Sequence, residues 1–341
     1  MSEPPGIGIH HGVPFEDYAA WDCVNSGAIK AGLRSMRAMR SFIDGERGKD
    51  TPDRRFGRAE HGRLLEPDLF DIRFGVATPC AAVKKDGETC GNAAKYLIDR
   101  NWLCGVHAPK GSTPETDFVS EPELARIDLM IDNLKGHKAV KLLRAHGGCE
   151  VSIVADVFGV RVKCRADKLI ETVPTVVDVK KVGAGKIGPI REVKEFIPQT
   201  GTLIERPPRP PDEIEAAITN YGYHIQAALY KLAADAVTGR YHKFMWCFIE
   251  DGPPYDVCVA EMDSETFEIG RHEVRLVLEN WKAAQEAGEF GGVYPGITRG
   301  GVKDWKRNQY KNWGLNREDG DDGERPDEAG DGAGPLDGDF C

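Results

Sequence analysis

Asp178 and Lys180 stand two apart in the β-branched run "TVVDVKKV", residues 175–182, so on a strand both side chains leave the same side. Such a pair is either a solvent-facing ion pair or a metal site in which the carboxylate holds the ion and the lysine steers a water. Asp167 lies eleven residues earlier in "CRADKLI", across a tight connection. Neighbouring antiparallel strands place such residues side by side, roughly 5 Å apart at Cα. Two carboxylates that close repel, and a cation belongs between them: Lys180, a divalent metal, or both. Glu150 opens the preceding strand and offers a third oxygen ligand, though a solvated strand-end acid would look the same. His61 follows Gly57 by four residues in "GRAEH", on a helix from which the imidazole reaches an adjacent site while the glycine lets another backbone approach. The alternative is a histidine of the helix surface or core. Gln226 and Tyr230, four apart in "YHIQAALY", share one helix face, where a tyrosine is also an ordinary core residue.

A second set of ligand types sits in "CAAVKKDGETCGNAAKYLIDRNWLCGVH". Cys80, Cys90, Cys104 and His107 are separated by nine, thirteen and two residues. Three thiols and an imidazole make a Cys₃His pattern for a closed, structural Zn²⁺ site, and reduced cysteines packed in a small subdomain are the alternative. The remaining cysteines are scattered, and a total of nine in a chain without a secretory leader argues against a disulfide scaffold.

These residues need a scaffold, and the order of elements supplies one. Residues 15–46 read as helical, with Asn25 or Ser26 as N-cap and Ile29, Leu33 and Met36 as an apolar stripe. A helix over "DRRFGRAEHGRLLEP" ends at Pro67, the cysteine segment 76–110 is inserted, and a further helix runs from about 121 to 143. The period then changes to two, giving strands at roughly 150–158, 160–170 and 175–181 joined at Phe158-Gly159 and Thr172-Val173-Pro174. A proline-rich loop over 183–213 follows, then one helix through "EIEAAITNYGYHIQAALYKLAADAV", two strands, and a helix around 264–288. The pattern predicts an α/β (α+β) fold with a mixed central sheet flanked by helices. Its parts are an N-terminal helical part (1–75), the insertion (76–110), the main body (111–316) and an acidic tail (317–341).

The net charge of −10 is concentrated in that tail, which carries ten acids and two bases, so the rest is close to neutral. The tail's Gly/Asp-rich composition predicts disorder. "VKDWKRNQYKNWG", residues 302–314, interleaves bases with aromatics, a pattern for single-stranded DNA or for docking on its own domain. With neither a run of 18 apolar residues nor a basic-then-apolar leader, no membrane contact is expected, and the cytoplasm is the expected location.

Taken in order, "NSGAIKAGLRSMRAM", "FGRAEHGRLLEPDLF", "GGCEVSIVAD", "CRADKLI", "VVDVKK" and "NYGYHIQAALY" resemble the PD-(D/E)XK nuclease superfamily. The resemblance is to its RecB-like branch and the exodeoxyribonuclease VIII (RecE-type) proteins of phages and prophages, from about residue 15 to 305. It implies a restriction-endonuclease-like core with Asp167 and Asp178 as ligands of Mg²⁺ or Mn²⁺ and Lys180 as catalytic lysine. His61 would be a further ligand, Glu150 a direct or water-mediated one, and Gln226 and Tyr230 would hold the site or the DNA strand. It also implies exonuclease action on linear duplex ends in recombination or phage DNA processing. The family's products are 3′ single strands for an annealing partner, often made by a ring-shaped homo-oligomer. A structure-specific endonuclease of the same superfamily and a non-catalytic DNA-binding module are the competing functions. Lys181, where the family usually has Thr or Ser, the long proline-rich loop and the cysteine segment depart from the family pattern.

Overall fold

The alternation in 147–182 folds as read. Val, Ile and Ala at every second position pair into long strands, and the turn between the first two has both Phe158 (φ 50°) and Gly159 (φ 77°) left-handed, as a two-residue hairpin requires. In the computed structural model, which describes residues 2–45, 50–189, 191–197, 202–293 and 303, the chain starts with β1 (Gly8–His10), α1 (Phe15–Ala20), α2 (Ser26–Gly32), α3 (Met36–Ile43), α4 (Pro52–Leu65) and α5 (Pro67–Arg73). The inserted segment begins within β2 (Gly75–Ala77) and holds β3 (Tyr96–Ile98) and β4 (Asn101–Leu103); β5 (Phe118–Ser120), α6 (Glu121–Gly136) and α7 (Val140–Leu143) follow it. Then come β6 (Gly147–Val157), β7 (Val160–Ile170), β8 (Thr175–Val182), β9 (Arg191–Ile197), β10 (Thr202–Arg209), α8 (Asp212–Asn220), α9 (Tyr223–Thr238), β11 (Lys243–Glu250), β12 (Val257–Glu261) and α10 (Ser264–Ala287).

Six strands form the main sheet in the order β1-β6-β7-β8-β11-β12, with β8 and β11 parallel and the other neighbours antiparallel. The central strands are apolar on both faces, so helices must cover both. On one side Val162, Ala166, Phe244 and Phe248 pack with Ile29 of α2, Ala227 and Ala234 of α9 and Val274 and Leu278 of α10. On the other, Val177, Val179, Cys247 and Ile249 pack with Phe56 of α4, Phe70 of α5 and Ile127, Met130 and Leu134 of α6. The mixed sheet flanked by helices is the expected fold class. The two layers matter because α4 and α9, which carry the helical candidates, belong to different ones.

Several boundaries differ from the sequence reading, each for a local reason. The helix expected over 15–46 is three. Leu33 is left 40% exposed at a break, and Ser35 starts a new helix by accepting the Ala38 N–H at 3.1 Å. The single helix expected before residue 238 is two, because Gly222 takes φ 62° between α8 and α9. The 121–143 helix stops at His137, whose backbone is extended (ψ 149°), before the short α7. The helix before Pro67 ends as expected, at Leu65, and Pro67 also starts α5, as proline does well at a first helical position. The expected proline-rich loop contains the β9–β10 hairpin. Pro207 and Pro208 hid it, but in a two-stranded sheet every strand is an edge, and the register shifts between Arg206 and Arg209 around them.

Among the described residues no helix is long and apolar enough to cross a membrane. The acidic tail 317–341 and, Lys303 excepted, the basic-aromatic segment 302–314 lie outside the described residues.

Candidate active site

The β7–β8 ladder runs from Ile170↔Thr175 to Lys168↔Val177, and one step further stand Asp167 and Asp178. Regular pairing stops there. The Asp167 side chain takes over as acceptor, its Oδ2 receiving the Val179 N–H at 2.6 Å. On the other side of β7, Glu150 falls opposite Asp167, between the pairs Cys149↔Lys168 and Val151↔Ala166, and it has a left-handed φ of 49°. Ala166 and Leu169, three apart, pack into the same core cluster, so the period-two alternation slips at the same place. A non-glycine residue held in that region is strained, and such strain gathers where side chains are aimed for a purpose.

The aim is visible in the side chains. His61 of α4 brings Nδ1 to 3.6 Å from Asp167 Oδ1 and 3.9 Å from Glu150 Oε1. One ligand atom from each of His61, Glu150 and Asp167 lies within 4.8 Å of the others. Asp178, 1% exposed, is engaged differently: Gln226 of α9 donates Nε2–H to its Oδ1 at 3.0 Å, and Lys180 Nζ lies 2.5 Å from Oδ2. That last contact is an ion pair without regular hydrogen-bond geometry. Helices of opposite layers thus converge on neighbouring acids. Tyr230, one turn beyond Gln226, is buried beneath the site. Burial raises its phenol well above the usual range, and Asp178 and Asp167 add to this.

The acids, the imidazole and Lys180 of the site act strongly on one another's charge. Burial pushes the Asp167 carboxyl above its ordinary range; His61 pulls it back and Asp178 adds to the rise. For His61 burial opposes protonation, but Asp167, Glu60 and Glu150 outweigh it and raise the imidazole. Lys180 likewise rises despite burial, held by Asp178 and Asp167. An imidazole nitrogen and hard carboxylate oxygens at this spacing fit a divalent ion such as Mg²⁺ or Mn²⁺.

Four residues of the site were not apparent from sequence. Arg165 donates Nε–H to Glu150 Oε2 at 2.6 Å and Nη1–H to the Val13 carbonyl at 2.7 Å, fixing the strained glutamate. Lys30 of α2 donates to the Tyr221 carbonyl at 3.0 Å, and burial, with help from the Lys180 charge, pushes its ammonium down to about 8. The Tyr223 ring lies 5.2 Å from Lys180 Nζ. Glu60, 1% exposed and without a hydrogen-bond partner on either oxygen, is pushed up to about 7 by burial. Arg165 alone had a signal, lying two positions before Asp167 on the same strand. Gly57 does not act as expected, since a Cβ there would meet nothing within 4 Å. Lys181 bridges Asp53 of α4 at 2.6 Å and Asp251 at 3.0 Å, tying the His61 helix to the sheet.

The inserted segment gathers its own ligands: Cys80, Cys90, Cys104 and His107 each have a ligand atom within 4.8 Å of the others.

Residues 211–292 match a family described as "PDDEXK-like domain of unknown function (DUF3799)". That stretch runs from α8 to α10 and includes Gln226 and Tyr230. No curated protein sequence matches the chain. Among solved structures the chain is similar to a crystal structure described as "Putative exonuclease" from Eubacterium rectale, with a TM-score of 0.51 and 11% identity, over 87% of this chain and 98% of that one. At that identity the likeness is one of fold. Residues 211–292 are thus similar to a PDDEXK-like domain, and the chain shares its fold with that solved structure.

Proposed function

We propose that the protein is a divalent-metal-dependent deoxyribonuclease that hydrolyses linear duplex DNA from its ends. The observation that carries this is the convergence of His61, Glu150 and Asp167 within 4.8 Å, next to β8, which presents Asp178 and Lys180. His61, Glu150 and Asp167 would hold the ion, with Asp178 beside them. Mg²⁺ or Mn²⁺ bound there supplies Lewis acidity toward a phosphate oxygen and lowers the pKa of water.

The chain's own groups do the rest. Asp178 and Asp167 raise the Lys180 ammonium against burial, which favours its protonated, hydrogen-bond-donating form. In that state it orients a water or stabilises negative charge developing on the phosphate. Asp178 keeps Lys180 in place, and Gln226 fixes the other oxygen of Asp178. Arg165 holds the Glu150 carboxylate against rotation. The RecE-type reading adds 5′→3′ polarity, a single-strand annealing partner, a ring-shaped oligomer and a role in phage-type recombination.

The test is digestion of linear and covalently closed circular duplexes with Mg²⁺ by wild type and Lys180→Ala. Degradation of the linear form alone, lost in the variant, supports an exonuclease. Cutting of closed circles would make it an endonuclease of the same fold, and inactivity on both with either metal would leave a binding module.

A further inference from the structure

We infer that Cys80, Cys90, Cys104 and His107 bind one structural Zn²⁺, and that this ion fixes the inserted segment onto the helix that presents His61. The inference is independent of the nuclease reading, because the two ligand sets share no residue.

Distances come first. A tetrahedral zinc with Zn–S of about 2.3 Å and Zn–N of about 2.0–2.1 Å has S···S edges of about 3.8 Å and S···N edges of about 3.6 Å. Here Cys90 and Cys104 sulfurs are 3.9 Å apart, and His107 Nδ1 lies 3.5 Å from Cys80 Sγ and 3.4 Å from Cys104 Sγ. The described cysteines are all free thiols, so no disulfide competes for these sulfurs. Backbone N–H groups point at these sulfurs as well, that of Asn92 at Cys90 and those of Val106 and His107 at Cys104. Soft thiolates with one imidazole select zinc over the hard cations suited to the other site.

The need for an ion follows from the size of the core. The segment's buried cluster is Ala77, Cys80, Cys90, Ala94, Trp102, Cys104 and Phe118, so three of its members are the ligands themselves. Around it are loops, the short β3–β4 hairpin and the three-residue β2–β5 pair. A unit this small does not hold itself together by burial alone and needs a metal or a cross-link.

The contacts to α4 give the site its consequence. Trp102 packs on Phe118 with ring centroids 5.3 Å apart, and the Arg55 guanidinium of α4 lies 4.0 Å over the Phe118 ring. One turn along, Arg58 donates to Asp117 at 3.1 Å and to the Thr116 carbonyl at 3.0 Å, three residues before His61. The segment's return strand is thus fastened to the helix that carries the imidazole.

The experiment is metal analysis of the full chain purified without chelator, for wild type, Cys104→Ser and Asp167→Asn. The expected result is about one equivalent of zinc in wild type and Asp167→Asn and nearly none in Cys104→Ser. Because Cys104→Ser can misfold, wild type is also stripped and reloaded with Co²⁺, which gives visible d–d bands typical of tetrahedral thiolate sites if the inference holds. Stripping should speed proteolysis within 78–110 by on the order of tenfold or more and loosen amide protection in α4. Zinc-free protein with no Co²⁺ spectrum, or zinc that disappears with Asp167 rather than with Cys104, would overturn the site. Unchanged proteolysis and unchanged α4 protection after stripping would overturn its fastening role.

Discussion

Gln226→Ala isolates the least obvious link in the site. Gln226 touches none of the three clustered ligands, but its Nε2–H donates to Asp178 Oδ1 at 3.0 Å. Asp178 is 1% exposed, and its other oxygen already faces Lys180. Removing the donor leaves half of a buried carboxylate unpaired. A hydrogen bond to a charged group contributes about 1.5–3 kcal/mol, so the loss is of that order if no water refills the space, and nearer the lower bound if one does. Should Asp178 hold Lys180 in register for the reaction, that energy is lost from the transition state, a fall of roughly 10- to 100-fold in kcat/KM. Gln226→Glu is the sharper variant, since an ionised glutamate has no proton to donate and sets a like charge against Asp178. It should fall further than Gln226→Ala. The assay is the rate of acid-soluble nucleotide release from linear duplex DNA, with circular dichroism to show that each variant is folded. A folded Gln226→Ala within about twofold of wild type would refute the reasoning, because a bond of that strength cannot be lost from the reaction at so small a cost.

Arg165→Met should raise the Mg²⁺ concentration needed for half-maximal rate by about 10- to 100-fold, as replacing a group that orients a metal-holding carboxylate does elsewhere; a Mg²⁺ titration superimposable on wild type would contradict it. A pH prediction comes from outside the site. Asp235 accepts the His242 backbone N–H at 2.7 Å, lies 2.9 Å from His242 Nδ1 and pairs with Lys231 at 2.5 Å. Burial opposes the charge, but these bonds outweigh it and hold the carboxyl below its ordinary value. With the folded value below the unfolded one, near 3.9, the stability it brings is present above about pH 4 and is lost as pH falls through the folded value. Asp235→Asn should therefore cost on the order of 1–2 kcal/mol in denaturant unfolding at pH 7 and progressively less as the pH is lowered through that range; a constant difference would be the contrary result.

The parts legible in the sequence were those written in short-range pattern. Asp167, Asp178 and Lys180 stood out because alternation fixed their strands, and the four zinc candidates because thiols and imidazole are rare enough for spacing to carry information. Glu150 could be named but not its strained φ of 49°, which arises from its position opposite Asp167. Lys30, Glu60 and Tyr223 are invisible in one dimension, since their roles depend on which helix packs over which strand. The β9–β10 hairpin was hidden by prolines that only an edge tolerates. The helix breaks at Ser35 and Gly222 were present as a capping residue and a glycine, overridden in the reading by the apolar period around them.

The most direct test of the central claim is nucleotide release from linear duplex DNA in Mg²⁺ by wild type and Asp167→Asn, with and without chelator. Asp167 shares the proposed metal site with His61 and Glu150 and accepts the Val179 N–H as well. The account predicts chelator-sensitive release by wild type and a fall of at least about a hundredfold in a folded Asp167→Asn. Release that survives both the chelator and the substitution would show that the hydrolysis does not depend on this cluster.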